Sequence, residues 1–428
     1  STELRHPFGR SINATLSPDE GELFNLSYES FEKHDTLDAY EFFFKTLENF
    51  KSQASNKNIT LARHDNKLEF EIFQGTARVT GVVTKESLYA QVVMMKTSDA
   101  GVALKRYILE RNYQLTYSNY SSDGEYIKLK LYYDNITASP QKIFFPLREI
   151  ALNADFDKEY LKSEFKDIRL EDSSHISKLE DEELKIKYEF LHKWIDALDA
   201  KILTLPANDN AGMQAFLYLH LLFKIDYLLI IKCDVYQKMS KKIRIYFSDE
   251  NLSTEYKNEE LRKYVEKLRG MDFDEFSKKF YSAKYTFDPM ERVSLEEISN
   301  FINESLIKIR WYKNNRYNQI IPTIYKYIPF YILYNYGLNP IVKNLLHTLV
   351  KIQNPSFFKA LGYSVLYDKD KEIFAKNTIK AKIKDAIAPH QVRYKELKPF
   401  GDKLNFSSLN EFSNSFLLQL KHLNFEEI

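Results

Sequence analysis

Between Lys67 and Lys96 the chain alternates in hydropathy, with Leu68, Phe70 and Ile72 set against Glu69 and Glu71. A period of two sends successive side chains to opposite faces, which commits this stretch to a half-buried β-sheet. Candidate strands are Ile59 to His64, Lys67 to Phe73, Ala77 to Thr84 and Leu88 to Lys96, separated by turn signals at Asp65-Asn66, Gly75 and Glu86-Ser87. Connections this short imply antiparallel hairpins. Tyr126 to Asp134 repeats the pattern, Ile127, Leu129, Leu131 and Tyr133 facing one way and Lys128 and Lys130 the other. The last 250 or so residues carry helical spacing instead, so the expected architecture is an α+β domain, an antiparallel sheet with flanking helices, followed by an all-α helical-bundle domain. The expected boundaries are an irregular leader at 1–35, the α+β domain at 36–170 and the helical domain at 176–428.

Leu37, Tyr40, Phe43, Phe44, Leu47 and Phe50 recur at helical spacing after Thr36, a candidate N-cap. A second helix is expected after Ser98, with Ala100, Ala103, Leu104, Tyr107 and Ile108 as its apolar stripe. Strands resume at Tyr113 to Ser118 and Tyr126 to Asp134. Pro146 then reads as a first-turn residue of a helix running, with a break at Asp155, to Phe165. In the strand Leu88 to Lys96 both faces are apolar, Leu88, Ala90, Val92 and Met94 against Tyr89, Val93 and Met95. Two apolar faces call for two covers, one of them a second domain, a twin subunit or a partner. Leu88, Tyr89, Val93 and Met95 are therefore the candidate partner-binding residues.

Through Leu37 to Phe50, Leu68 to Lys96, Ala100 to Ile108 and Ile127 to Tyr133, the order helix, strands, helix, two strands, helix resembles the type III secretion chaperone-like fold and the related YbjN family. The resemblance spans Thr36 to Asp167 at most and rests on order, with no diagnostic motif. It implies a non-enzymatic, commonly dimeric binder of polypeptide or regulatory partners. Four strands before the second helix and the long C-terminal extension depart from those families.

Beyond the polar joint Glu171 to His175, Leu184, Tyr188, Leu191, Ile195, Leu198 and Ile202 trace the seam of a long helix that Pro206 ends. Ala215 to Cys233 is almost continuously apolar but holds His220, Lys224 and Asp226, which reads as a central bundle helix and not a membrane span. Ile243 to Phe247 fits either a strand or a helix end. Further helices are expected at Asn258 to Arg269, Asp272 to Tyr281, Ser294 to Tyr317, Leu338 to Ile352, Lys371 to Ile387 and Ser408 to Leu423, with prolines dividing the aromatic stretch after Tyr317 into short helices.

Lys and Arg number 61 against 60 Asp and Glu, which argues against a chain-wide attraction to nucleic acid or acidic lipid. Residues up to Leu170 carry a net −3 and the rest a net +4, too small an asymmetry to name a partner. Lys371 to Lys403 is locally basic, with nine basic and four acidic residues, and reads first as a solvated helical face. One cysteine, Cys233, excludes an internal disulfide and zinc clusters, and a reducing cytoplasm suits it. The chain begins at Ser1, so a removed start residue, tag or leader is an open possibility.

Only 11 glycines occur, and neither GxGxxG nor GxxxxGK[ST] is among their settings; GxSxG, HExxH and EF-hand patterns are missing too. No cofactor, metal ligand set or catalytic residue is called. His220 and Lys224, four apart, share a helix face and form the best polar intrusion into an apolar segment. The plainer account, a snorkelling lysine and a histidine satisfied inside the bundle, is preferred. Trp311, Tyr312 and Arg316 open the densest aromatic region, able to stack bases or an aromatic ligand, although an aromatic core explains the same composition. Glu182 and Glu183 read as solvated. The leading expectation is a non-catalytic protein-interaction or chaperone-like protein that binds a polypeptide on the sheet or in the interdomain groove, with a homodimer as the assembly the resemblance implies. The alternatives are a small-ligand site or enzyme between helices near His220, Lys224, Trp311, Tyr312 and Arg316, and nucleic-acid binding through 371–403.

Overall fold

The computed structural model describes residues 6–10, 19–48 and 57–428. Phe50, expected in the first helix, lies outside them, as do residues 1–5 and 11–18 of the expected leader. Helices α1 (Asp19–Glu32) and α2 (Thr36–Leu47) precede strands β1 (Ile59–Arg63), β2 (Leu68–Gln74), β3 (Ala77–Val83) and β4 (Ser87–Lys96). Helix α3 (Val102–Asn112), strands β5 (Ser118–Ser122) and β6 (Tyr126–Asp134) and helix α4 (Pro140–Glu164) complete an α+β region. Its sheet is six-stranded and antiparallel throughout, in the order β1-β2-β3-β4-β6-β5. The rest is largely helical: α5 (Asp181–Ile202), α6 (Ala211–Lys224), α7 (Cys233–Ser248), α8 (Thr254–Gly270), α9 (Phe273–Ser277), α10 (Leu295–Asn314), α11 (Ile321–Asn335), α12 (Pro340–Gln353) and α13 (Pro355–Ala360). A two-stranded hairpin, β7 (Tyr367–Asp368) and β8 (Ile373–Phe374), then leads to α14 (Lys376–Ile387) and α15 (Leu409–Lys421).

All the helices of the first region lie on one face of the sheet. Leu68, Phe70, Ile72, Val79, Leu88, Ala90, Val92 and Leu129 point into a core closed by Phe44 of α2, Leu104 of α3 and Leu147, Ile150 and Ala154 of α4. Asp157, fully buried on α4, ties this layer together by accepting from Arg111 Nε at 2.9 Å, Tyr107 at 2.9 Å and Tyr120 at 2.5 Å. A buried carboxylate needs such partners, and these come from α3 and β5.

Several local expectations are corrected. Asp19 to Glu32 is helical, not irregular: Ser27 donates to Ala39 O at 2.7 Å and Phe31 packs edge-on to Tyr40, so contact with α2 supplies what a weakly patterned sequence does not. The helix expected at Pro146 starts at Pro140, where Ser139 Oγ accepts from Lys142 N, and it runs past Asp155 without a break. Pro146 sits inside it, its cost offset by the burial of Ile143, Leu147 and Ile150. Strand β5 begins at Ser118, after residues expected to be extended, and Ile243 to Phe247 is helical within α7. The single helix expected over Ala215 to Cys233 breaks after Lys224 into a π-helical turn, Ile230 takes a left-handed conformation, and Cys233, where α7 begins, has φ 61°. Left-handed backbone at a β-branched residue is strained, and here packing of both flanking helices enforces it.

The sheet and helical regions interlock. Phe287, far along the helical region, is 2% exposed inside the sheet-side core and meets Phe144 edge-on at 5.6 Å. Gln74 at the β2–β3 turn accepts from Thr286 N at 3.0 Å and Phe287 N at 2.7 Å, and its amide donates to Phe287 O at 3.1 Å. Gly75 N donates to Lys284 O at 2.8 Å. In the opposite sense, Phe8 lies in the helical core against Tyr227, His347 and Phe358, and Gly9 N donates to Tyr227 O at 2.9 Å. No described helix is long and apolar enough to cross a membrane.

Candidate functional site

The open face of the sheet does not offer the apolar surface expected of it. Leu88 and Met95 are fully buried in the helix-covered core, so neither is available to a partner. Met95 is there because the β4–β6 register shifts between Val93 and Met95, a bulge that reverses the alternation. Tyr89, at 36% exposure, and Val93 do face outward, but among Glu69, Glu71, Arg78, Gln91, Lys128 and Lys130. Arg78 pairs with Glu71 at 2.9 Å and Asp172 at 3.1 Å, which marks a solvated face with its charges largely matched.

The residues singled out in the helical region fall into two separate clusters on the packed pair α6 and α11. In one, Gly212, Phe216 and Leu219 of α6, Phe247 of α7, Trp311 and Tyr312 of α10 and Tyr327 of α11 line a groove of about 330 Å³. Phe216 meets Tyr327 edge-on at 5.1 Å and Tyr312 at 6.2 Å, and Trp311 meets Tyr312 at 5.0 Å. Gly212 lets Tyr312 approach, since a Cβ there would lie 3.2 Å from its hydroxyl. Trp311, Phe247 and Ile307 remain 54%, 46% and 55% exposed. Helix α10 and the turn after it also expose Lys308, Arg310, Lys313 and Arg316, none of which forms an ion pair among the described residues. Arg316 adopts a left-handed conformation just past the helix.

In the other, the charge of Lys326 of α11 bears on His220 and Lys224 of α6. Lys224 Nζ stands 4.4 Å over the Trp194 ring of α5, and His220 packs against Phe330 at 5.8 Å. Burial, reinforced by Lys224 and Lys326, holds the His220 imidazolium pKa well below the usual range. Burial also drives Lys224 well below its ordinary value, with Lys326 and Lys369 adding to the effect. Lys326 is lowered by burial, then by Lys369 and Lys201. No carboxylate contributes to any of these shifts. His220 Nε2 is buried without a hydrogen-bond partner.

Lys369 and Lys201 were not singled out from sequence, and Lys326 only as a basic residue interleaved in the aromatic stretch, yet a signal was there. Residues 305–367 contain no Asp or Glu and hold eight Lys or Arg. A near-zero overall charge conceals that stretch, which supplies both the exposed cations of α10 and the buried Lys326.

A third polar cluster joins the two regions. Arg10 donates to Asp226 at 2.5 Å and to Ile231 O at 2.7 Å and stacks 3.1 Å over Tyr236. Lys232 donates to the Tyr285 hydroxyl and lies 3.8 Å over Tyr281. Facing them, Asp155 accepts from Thr76 N at 2.9 Å, while Glu159 has no hydrogen bond or ion pair among the described residues. Burial, then Asp155, raises Glu159 to about 7, and burial lowers Lys232 to about 8 against the pull of Glu159. Lys232 is only 5% exposed under two tyrosine rings, so the cluster reads as a seam between regions. Cys233 is an unpaired thiol whose pKa burial raises, the opposite of an activated nucleophile. In the basic stretch 371–403, Ile379, Ile383 and Ile387 are buried while Lys376 and Lys384 are exposed, and Lys380 pairs with Asp402 at 3.1 Å. No group of three His, Cys, Asp or Glu suited to a metal occurs among the described residues. Compared with known protein families and with curated proteins, the chain matches none.

Proposed function

We propose that this chain is a non-catalytic interaction protein that receives an acidic polypeptide segment with an apolar anchor in the aromatic groove of its helical region. The observation that carries this reading is the exposure of Trp311, Phe247 and Ile307 with Lys308 in the groove lining and Arg310, Lys313 and Arg316 elsewhere on α10 and the turn after it, cations without ion-pair partners among the described residues. Contiguous exposed aromatic surface is uncommon on a monomer, and a tryptophan in a groove is the residue type that most often dominates an interface. Unpaired cations on the helix that carries Trp311 favour an acidic partner and speed its approach. The order helix, strands, helix, two strands, helix accords with the likeness to chaperone-like binders, although the four strands before α3 depart from it, and a homodimer would follow from that likeness. A cytoplasmic site of action accords with the single free Cys233.

The chain has two tryptophans, so Trp194→Phe leaves Trp311 as the sole indole reporter. Titration with a synthetic acidic peptide carrying leucine and phenylalanine anchors should blue-shift its emission saturably and weaken with salt. In the parent chain, Trp311→Ala should reduce affinity roughly tenfold or more, measured by peptide fluorescence anisotropy. A response to single-stranded RNA and none to the acidic peptide, or equal binding of a basic peptide, sinks the proposal.

A further inference from the structure

The cation cluster of α6 and α11 shares no residue with the lining of the aromatic groove. His220 and Lys224 lie one turn apart on α6, His220 against Phe330 of α11, which is one turn beyond Lys326, and the charges of Lys201, at the end of α5, and Lys369, in the β7–β8 hairpin, bear on these lysines. His220, Lys224 and Lys326 are only partly exposed, and Trp194 forms an aromatic wall 4.4 Å from the Lys224 ammonium. The nearest acids in sequence, Asp368 and Asp370, belong to the hairpin turn, where Asp368 accepts from Asp370 N at 3.0 Å and Lys371 N at 3.1 Å. Like charges gathered out of water destabilise a folded chain unless something neutralises them. A cluster of cations that draws no carboxylate of its own, with the buried His220 Nε2 left without a hydrogen-bond partner, has the composition of a receptor awaiting an anion.

We infer that the pocket formed by His220, Lys224 and Lys326 binds a multivalent oxyanion of the phosphate class, with Lys201 and Lys369 at its mouth. A single carboxylate would neutralise one of the converging cations, whereas a phosphate carries up to two charges and enough oxygens to accept from two ammonium groups and an imidazole. Lysines are point charges able to follow a tetrahedral anion from several directions, which arginine forks do less readily. The Trp194 wall leaves room in the reading for an aromatic phosphate monoester as well as the free ion. Binding raises the proton affinity of cations that burial has lowered, so the complex takes up protons as it forms.

The test is isothermal titration of the full chain at neutral pH in two phosphate-free buffers of different ionisation enthalpy, with inorganic phosphate and phenyl phosphate as the probes. Saturable binding with net proton uptake is expected, and Lys224→Met should weaken it roughly ten- to a hundredfold. Tighter binding of phenyl phosphate would place a monoester in the pocket; tighter binding of inorganic phosphate would make the free ion its ligand. Lys224→Met removes an unpaired charge from an apolar setting, so its melting temperature without anion should rise, which shows that the variant folds. No saturable binding of either probe, binding without proton uptake, or equal affinity in the folded Lys224→Met chain overturns the inference.

Discussion

Replacing Phe287 by alanine should uncouple the sheet from the helices. Its ring is 2% exposed among sheet-side residues, although it lies beyond α9 in the helical region. Phe-to-Ala truncation at such a site costs about 3–5 kcal/mol, the edge contact with Phe144 at 5.6 Å included. A domain is held by only about 5–15 kcal/mol, so the loss is a large share. The hydrogen bonds from Gln74 to the Thr286 and Phe287 backbone survive the substitution, which isolates the effect of the ring. With a urea dependence of about 1–3 kcal/mol/M, the sheet-region midpoint should fall by at least about 1 M. Both tryptophans, Trp194 and Trp311, lie in the helical region, so their emission follows that region alone while far-ultraviolet circular dichroism follows both. In the parent the two signals should unfold together; in Phe287→Ala the dichroism change should begin at lower urea. Coincident transitions in the variant, with the midpoint within a few tenths molar of the parent, would refute the claim that this ring couples the regions.

Gly75 has φ +58°, and a Cβ there would lie 2.4–2.6 Å from the Asp155 carboxylate, so Gly75→Ala should lower stability by about 1 kcal/mol or more in chemical denaturation. Glu159 should make stability depend on pH in an unusual sense. Its folded-state pKa of about 7 lies above the ordinary 4.5, so the folded chain holds a proton that the unfolded chain releases. Its contribution is fully present below about 4.5 and is lost as pH rises through 7. Glu159→Gln should therefore stabilise the chain above pH 7, by about 1–3 kcal/mol once partial exposure is discounted, and should have little effect near pH 4. Denaturant midpoints of the two chains across that range check it, and parallel pH profiles would contradict it.

What could be read in advance follows the range of the physics involved. Strands β2, β3, β4 and β6 were legible because alternation is local and a one-residue slip would turn a whole strand inside out. The seam Leu184 to Ile202 was legible for the same reason, as α5 shows. Helix α1 was not, since its partner α2 rather than its own pattern stabilises it. Met95 was misplaced because a bulge is a property of two paired strands. The break after Lys224 arises where packing overrides an apolar run that would otherwise continue as helix. At the candidate sites, His220, Lys224, Trp311 and Tyr312 stood out as residue types, and Lys369 and Lys201 did not, because nothing in a linear reading says that their charges bear on α6 and α11.

The sequence by itself therefore determined the sheet, its antiparallel hairpins and the change to helix beyond residue 176, all consequences of period and turn chemistry within a few residues. Tertiary structure alone decided that the open sheet face is polar, that Phe287 belongs to a core far from its neighbours in sequence, and that His220 and Trp311 lie in different side-chain clusters. Those outcomes depend on which distant surfaces become buried together, and burial is what sets both the exposure of an aromatic ring and the charge of a lysine.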